Sequence, residues 1–144
     1  MAKTEDRTRR KKYMKKHLTE FDKLIGIFAT LRSKNGCMWD REQTHKSLIK
    51  HLFSEAKEVK KAVENKDMEN LEEELGDILL QVVFHAQIAK ENKNFNIAGV
   101  IEKLNKKLVR RHPHIFGKYK VKNIRDIEIM WKKIKEQEKN LKKI

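Results

Sequence analysis

Four carboxylates stand at a spacing suited to holding a metal ion: Glu55 and Glu58, then Glu74 and Asp77, each pair three residues apart. Residues three apart on a helix share a face. The pairs are mirror-related about Lys66, so two antiparallel helices joined by a turn there would set Glu55 opposite Asp77 and Glu58 opposite Glu74. Four like charges held close repel strongly, which demands a counter-charge, protonation or a bound cation. All-oxygen ligation favours Mg²⁺ or Mn²⁺ over zinc or copper. The helical di-iron pattern is a weak alternative, because it needs His where Glu58 and Asp77 stand. The competing reading is an ordinary solvated face, since Glu64, Glu69, Glu72 and Glu73 lie nearby and Lys57, Lys60 and Lys61 are there to pair. Gly76 costs a helix about 1 kcal/mol relative to Ala, and its place between Glu74 and Asp77 suggests a close approach to the backbone, by a ligand or by a neighbouring helix.

The elements that must position these groups are helices. With one Pro, five Gly and few alternating runs, the chain reads as all-α, an antiparallel bundle of about five helices. From about Tyr13 to Ser33, Leu18, Phe21, Leu24, Ile25, Phe28 and Leu31 mark one apolar face, and Asn35 and Gly36 end the helix. A loop carrying Cys37, Met38, Trp39 and Asp40 leads to a second helix. There Leu48, Ile49, Leu52, Phe53, Ala56, Val59, Ala62 and Val63 trace a buried stripe ending near Asn65. Asp67 caps a third helix, which runs to about Glu91 through Leu71, Leu75, Ile78, Leu79, Val82, Val83 and Ala86. Asn96 caps a fourth through Val100, Ile101, Leu104 and Leu108, stopped by Pro113, and a last helix runs from about Arg125 past Trp131 and Ile134.

A chain of 144 residues, 38% apolar and 39% charged, is sized for one domain with a core. Its net charge of +14 admits nucleic acid, anionic membrane and phosphorylated small molecules as partners. Most of that excess lies at the ends: residues 1–16 hold eight cations against Glu5 and Asp6, and residues 132–144 hold six Lys against Glu136 and Glu138. The expected organisation is a basic N-terminal extension over 1–16 continuing into the first helix, a single domain over 17–138, and a Lys-rich end over 139–144. A single cysteine, Cys37, excludes an intrachain disulfide. The longest apolar run, Ile78 to Phe84, is broken by Gln81 and falls far short of the roughly 18 residues of a membrane span. Lys15, Lys16 and His17 stand where a signal peptide needs its apolar core, so a cytoplasmic protein is expected.

Four blocks in order resemble the MazG-type nucleoside triphosphate pyrophosphohydrolases. They are Cys-Met-Trp-Asp-Arg-Glu-Gln-Thr-His at 37–45, Ser-Glu-Ala-Lys-Glu at 54–58, Glu-Leu-Gly-Asp at 74–77 with the apolar run after it, and Arg-Arg-His-Pro-His-Ile-Phe-Gly at 110–117. The resemblance spans roughly residues 18–138. It implies an all-α homodimer or higher assembly that cleaves nucleoside triphosphates to monophosphate and pyrophosphate with Mg²⁺. It also implies that Glu55, Glu58, Glu74 and Asp77 are the metal ligands and catalytic acids. The family's basic and aromatic positions fall on Lys107, Arg111, Trp131 and Lys135, and its loop block adds Trp39 and Asp40 to the nucleotide pocket. Lys107 with Arg111, and Trp131 with Lys135, are four apart and share helix faces, which suits a ligand of about four negative charges.

Two residues depart from the family's pattern. Ser54 stands where the acidic block usually begins with a Glu, putting the rate and the number of metal ions in question, and Met38 stands where Pro is usual. Other readings remain open. The basic ends suit nonspecific nucleic-acid contact, so a basic helical module binding nucleic acid or nucleotides with weak or no hydrolysis is the alternative function. A helical assembly protein without chemistry is a third. His112 and His114 lack a third zinc ligand at suitable spacing and read as loop packing.

Overall fold

The computed structural model describes residues 2–143, with the side chains of Ala2, Lys3, Met14, His17 and Leu18 outside the description. Leu18, expected on the first apolar face, therefore falls outside the described side chains. Seven helices occur among the described residues: α1 Ala2–Leu31, α2 Met38–Glu42, α3 His45–Glu64, α4 Met68–Glu91, α5 Ile97–Arg111, α6 Pro113–Phe116 and α7 Ile124–Leu141. The five long ones are those expected, and α2 and α6 are single turns in segments read as loop and helix stop. Proline disrupts α5 but suits the first turn of α6, where its missing N–H is not needed. The structure extends α1 eleven residues upstream of Tyr13, through straight-chain Lys, Arg and Glu of good helix propensity.

The chain folds as two compact units, Met1–Ile97 and Ala98–Ile144. In the first, Phe28 of α1, Leu48 of α3 and Val83, Phe84 and Ile88 of α4 form the buried core, with Leu24, Ile25, Leu31 and Leu80 packed against it. The Phe28 and Phe84 ring centres are 4.5 Å apart. A short turn joins α3 to α4, and its backbone closes α3 with bonds from Lys66 N–H to the Val63 carbonyl and from Asp67 N–H to the Ala62 carbonyl. This pattern needs a left-handed residue, and Lys66 takes it at φ 55°. Thr44 and Ser47 cap α3 reciprocally, and the Asp67 side chain accepts from Asn70 N–H at the start of α4.

The turn between α1 and α2 does require glycine. A Cβ on Gly36 would lie 2.1 Å from the Leu31 carbonyl oxygen. Gly76 is different: among the described residues, its own helix backbone and chain neighbours aside, no atom lies within 4 Å of where its Cβ would stand, so none of them makes the close approach expected there. The α3 stripe is also only partly buried. Leu48 and Ala62 are covered, whereas Ile49, Phe53 and Val63 are exposed, Phe53 to 65%. Leu75, Leu79 and Val82 form a similar exposed line on α4. Each helix has more apolar circumference than one neighbouring face can cover.

In the second unit, Asn123 caps α7 by accepting from Asp126 N–H, while Asp126 accepts from Lys122 N–H. Glu138 of α7 binds both arginines at the end of α5, with Arg110 Nε at 2.6 Å and Arg111 Nη2 at 3.0 Å. The Trp131 indole N–H donates to the Arg111 carbonyl at 2.8 Å.

Candidate functional site

The α3/α4 hairpin brings Glu55, Glu74 and Asp77 together, with one carboxylate oxygen from each lying within 4.8 Å of the others. All three are partly buried. The register differs from simple mirror pairing, since Glu55 meets both Glu74 and Asp77. Glu58, one turn further along α3, lies outside this group of three and is 3.4 Å from Lys61 Nζ. The Glu74 carboxyl is pushed above its ordinary value, first by loss of solvent, then by the charges of Asp77, Glu55 and Glu58, and finally by a hydrogen bond with Glu55. The carboxylates thus meet at a real electrostatic cost.

Three oxygens at this separation fit a divalent cation. Ligand oxygens on opposite sides of an Mg²⁺ ion lie about 4.2 Å apart and adjacent ones closer, so only small rotations bring all three into its shell. The donor set is all carboxylate oxygen, the choice of hard cations. One turn beyond Asp77, Gln81 is buried with its Oε1 lacking a hydrogen-bond partner, leaving a polar acceptor unsatisfied on the same helix.

About 12 Å further along α4, a polar contact that sequence reasoning did not single out joins the same two helices. The Nδ1 atoms of His45 and His85 are 2.7 Å apart and the rings are parallel within 1°. One nitrogen donates and the other accepts, so one ring at least is neutral. Burial, then the neighbouring His45, holds His85 below the usual imidazole range. His45 closes the 37–45 block and His85 lies in the run after Asp77, but only the helix pairing reveals that they touch.

Arg32 was also missed. Its Nη1 donates to the carbonyls of Asp40 and Gln43, its Nε and Nη2 bind Glu91, and its guanidinium lies 5.7 Å from the Phe84 ring centre. This one side chain ties α2 to α1 and α4. A cation just after the last turn of α1 was the available signal. Trp39 of α2 is half exposed and sets its ring edge-on to His51 at 5.6 Å and Phe84 at 6.5 Å. Asp40 is partly buried in the same turn.

The remaining candidates lie in the second unit. Lys107 and Lys135 are exposed, while Arg111 is partly buried and paired with Glu138. Trp131 is partly buried, hydrogen-bonded as above, and meets His112 edge-on at 5.7 Å. His112 and His114 sit 5.5 Å apart between ring centres, with His112 Nδ1 on the Leu108 carbonyl.

Comparison with known proteins bears on this arrangement of acids. The model of the MazG nucleotide pyrophosphohydrolase domain matches residues 43–116. The nucleoside triphosphate pyrophosphohydrolase/pyrophosphatase MazG of Thermotoga maritima is 50% identical over 126 residues, 85% of this chain and 47% of that protein. The nucleoside triphosphate pyrophosphohydrolase of Escherichia coli K12 is 37% identical over 123 residues, again 85% of this chain and 47% of that one. The chain thus spans about half the length of these curated relatives. A crystal structure of a mazG-related protein from Thermotoga maritima superposes with a TM-score of 0.66 at 31% identity, covering 80% of this chain and 98% of that one. With its domain match overlapping the 37–45 and 110–117 blocks and including both acidic ones, the chain belongs to the MazG nucleotide pyrophosphohydrolase domain family.

Proposed function

We propose that this chain is an Mg²⁺-dependent nucleoside triphosphate pyrophosphohydrolase, cleaving ribo- or deoxynucleoside triphosphates to monophosphate and pyrophosphate in cytoplasmic nucleotide-pool house-cleaning. The observation that carries the reading is the convergence of Glu55, Glu74 and Asp77 in a chain of this family. These three hold the cation, and Glu58 completes the set by turning from Lys61. Bound there, the cation supplies a Lewis acid for phosphate oxygens and lowers the pKa of water. Water adds at the α-phosphorus, the bond from that phosphorus to the α,β-bridging oxygen breaks, and pyrophosphate leaves with the electron pair. The carboxylates orient the water and accept its proton. Lys107, Arg111 and Lys135 balance triphosphate charge, Trp131 offers a ring face to base or sugar, and Trp39 and Asp40 belong to the nucleotide pocket.

Two copies associate in this reading. The exposed lines Ile49, Phe53, Val63 and Leu75, Leu79, Val82 support it, because apolar faces of this kind are normally covered. A monomeric mass in light scattering would remove that part.

Product analysis after incubation with a panel of nucleoside triphosphates, with Mg²⁺ and with chelator, tests the reaction. Monophosphate plus pyrophosphate appearing only with metal is expected, and diphosphate plus phosphate would overturn the assigned bond. Ser54, exposed beside Glu55, favours a second reading in which nucleotide is bound but cleaved slowly. Ser54→Glu then raises turnover, and an unchanged rate rejects that role for the position.

A further inference from the structure

We propose that the first three turns of α1 are a docking surface for duplex nucleic acid, bound through its phosphates. The apolar face of α1 has a clear upstream limit. Phe21, Leu24, Ile25, Phe28 and Leu31 pack or lie partly covered, but residues 3–12 contain no apolar side chain. From Thr4 to Tyr13 every side chain is exposed. The helix nevertheless continues unbroken to Ala2. A helix polar on all sides has no apolar stripe to pack against its own fold, so its charges are presented to whatever it meets outside.

That sequence is cationic in a patterned way. Arg7 and Lys11 stand four apart along one flank, about 6 Å of helix rise, and Arg9 and Lys12 run along a second flank, with Lys15 and Lys16 continuing the two flanks in the next turn. Against them stand only Glu5 and Asp6. Like charges four apart disfavour the bare helix, and a polyanion removes that repulsion. An α-helix about 10–12 Å across fits the major groove of duplex DNA, about 12 Å wide, and cations on two flanks then face the phosphates on both sides.

An anionic membrane would use the same charge, but an interfacial helix needs an apolar face carrying Trp, Phe or Leu, and residues 3–12 have none. Charge without apolar surface selects phosphate backbone over lipid. None of Arg7, Arg9, Lys11 and Lys12 belongs to the acidic cluster on α3 and α4, so the proposal stands apart from the hydrolytic reading.

The test measures binding of the full chain to a fluorescent random-sequence DNA duplex by anisotropy across a salt series. With four to six phosphate contacts, the logarithm of the association constant falls against log salt with a slope of about −4 to −5. The quadruple variant Arg7→Gln, Arg9→Gln, Lys11→Gln, Lys12→Gln is expected to weaken binding at least tenfold and to flatten the slope by about 3 to 4. A variant of equal charge change placed elsewhere, Lys34→Gln, Lys90→Gln, Lys93→Gln, Lys118→Gln, is expected to retain the slope. Should the Gln variant lose helix by circular dichroism, Arg7→Ala, Arg9→Ala, Lys11→Ala, Lys12→Ala, made of the best helix former, serves instead and is expected to show the same loss of affinity and slope. Equal losses in the two quadruple variants, a parent slope near zero, or tighter binding to phosphatidylserine vesicles than to duplex at the same salt would each overturn the assignment.

Discussion

Arg32 and Glu91 form a two-pronged ion pair, Nε and Nη2 of the guanidinium each donating to a different carboxylate oxygen at 2.9 Å. The arginine side chain is only 8% exposed and its other arm serves the carbonyls of Asp40 and Gln43. Its planar fork meets both demands at once, which the single ammonium of lysine cannot. Arg32→Met is therefore expected to cost about 2–3 kcal/mol by urea denaturation, because it strands a carboxylate and two carbonyls. Arg32→Lys should recover only part of this. A loss below about 0.5 kcal/mol, the scale of an ordinary surface pair, would show that the tie is incidental.

Glu74→Gln separates function from stability. Removing one charge from the crowded group relieves the repulsion that lifts the Glu74 carboxyl, so the metal-free protein should melt at a higher temperature than the parent. Under the proposed function Mg²⁺ is expected to raise the melting temperature of the parent, and the same change is expected to erase both that rise and turnover. A variant still stabilised by Mg²⁺ as the parent is would place the cation elsewhere.

Gly76→Ala probes the open space beside the acidic pair. With nothing among the described residues beyond its own helix backbone and chain neighbours within 4 Å of the new methyl group, helix propensity should act, raising stability by about 1 kcal/mol. The check is the urea midpoint together with turnover, both measured against the parent. Lost turnover in a stabilised variant would mean that substrate or a second copy approaches this face.

Lys66 holds a left-handed backbone at the turn that aligns α3 with α4. Lys66→Gly relieves the contact between Cβ and carbonyl there and should stabilise by about 1 kcal/mol without moving the carboxylates. Destabilisation by a comparable amount would indicate that the lysine side chain, and not the turn geometry, governs this position.

Acid should loosen the second unit. Hydrogen bonds from Arg111 and then Arg110 lower the Glu138 carboxyl from 4.5 to about 2. A folded value below the unfolded one means that this tie is fully present above about pH 4.5 and is lost as pH falls toward 2. A carbon-detected NMR titration of the Glu138 carboxyl checks it, and a midpoint near 4.5 would show the arginines to be free in solution.

Much of this protein was legible in its sequence because helices declare themselves locally. Apolar residues at three and four, Asp67 as a cap, and Gly36 as a stop depend on neighbours within a few residues, and the long helices followed. The acids could be found for the same reason, since equal spacing on both sides of one turn sets them on facing helices. Depth and rotation were not legible. Whether Glu55 meets Asp77 alone or Glu74 as well depends on how two helices turn about their axes, which core side chains such as Leu48 and Phe84 decide by filling space. The same packing brought His45 to His85 across forty residues and Arg32 to Glu91 across fifty-nine, pairings that no local pattern encodes. Sequence by itself determined the five long helices and where the acids stand along them, because those are short-range matters of spacing and charge. Only the tertiary structure decided which side chains touch and which apolar faces stay open, because burial is settled by the whole packed unit and not by any segment of it.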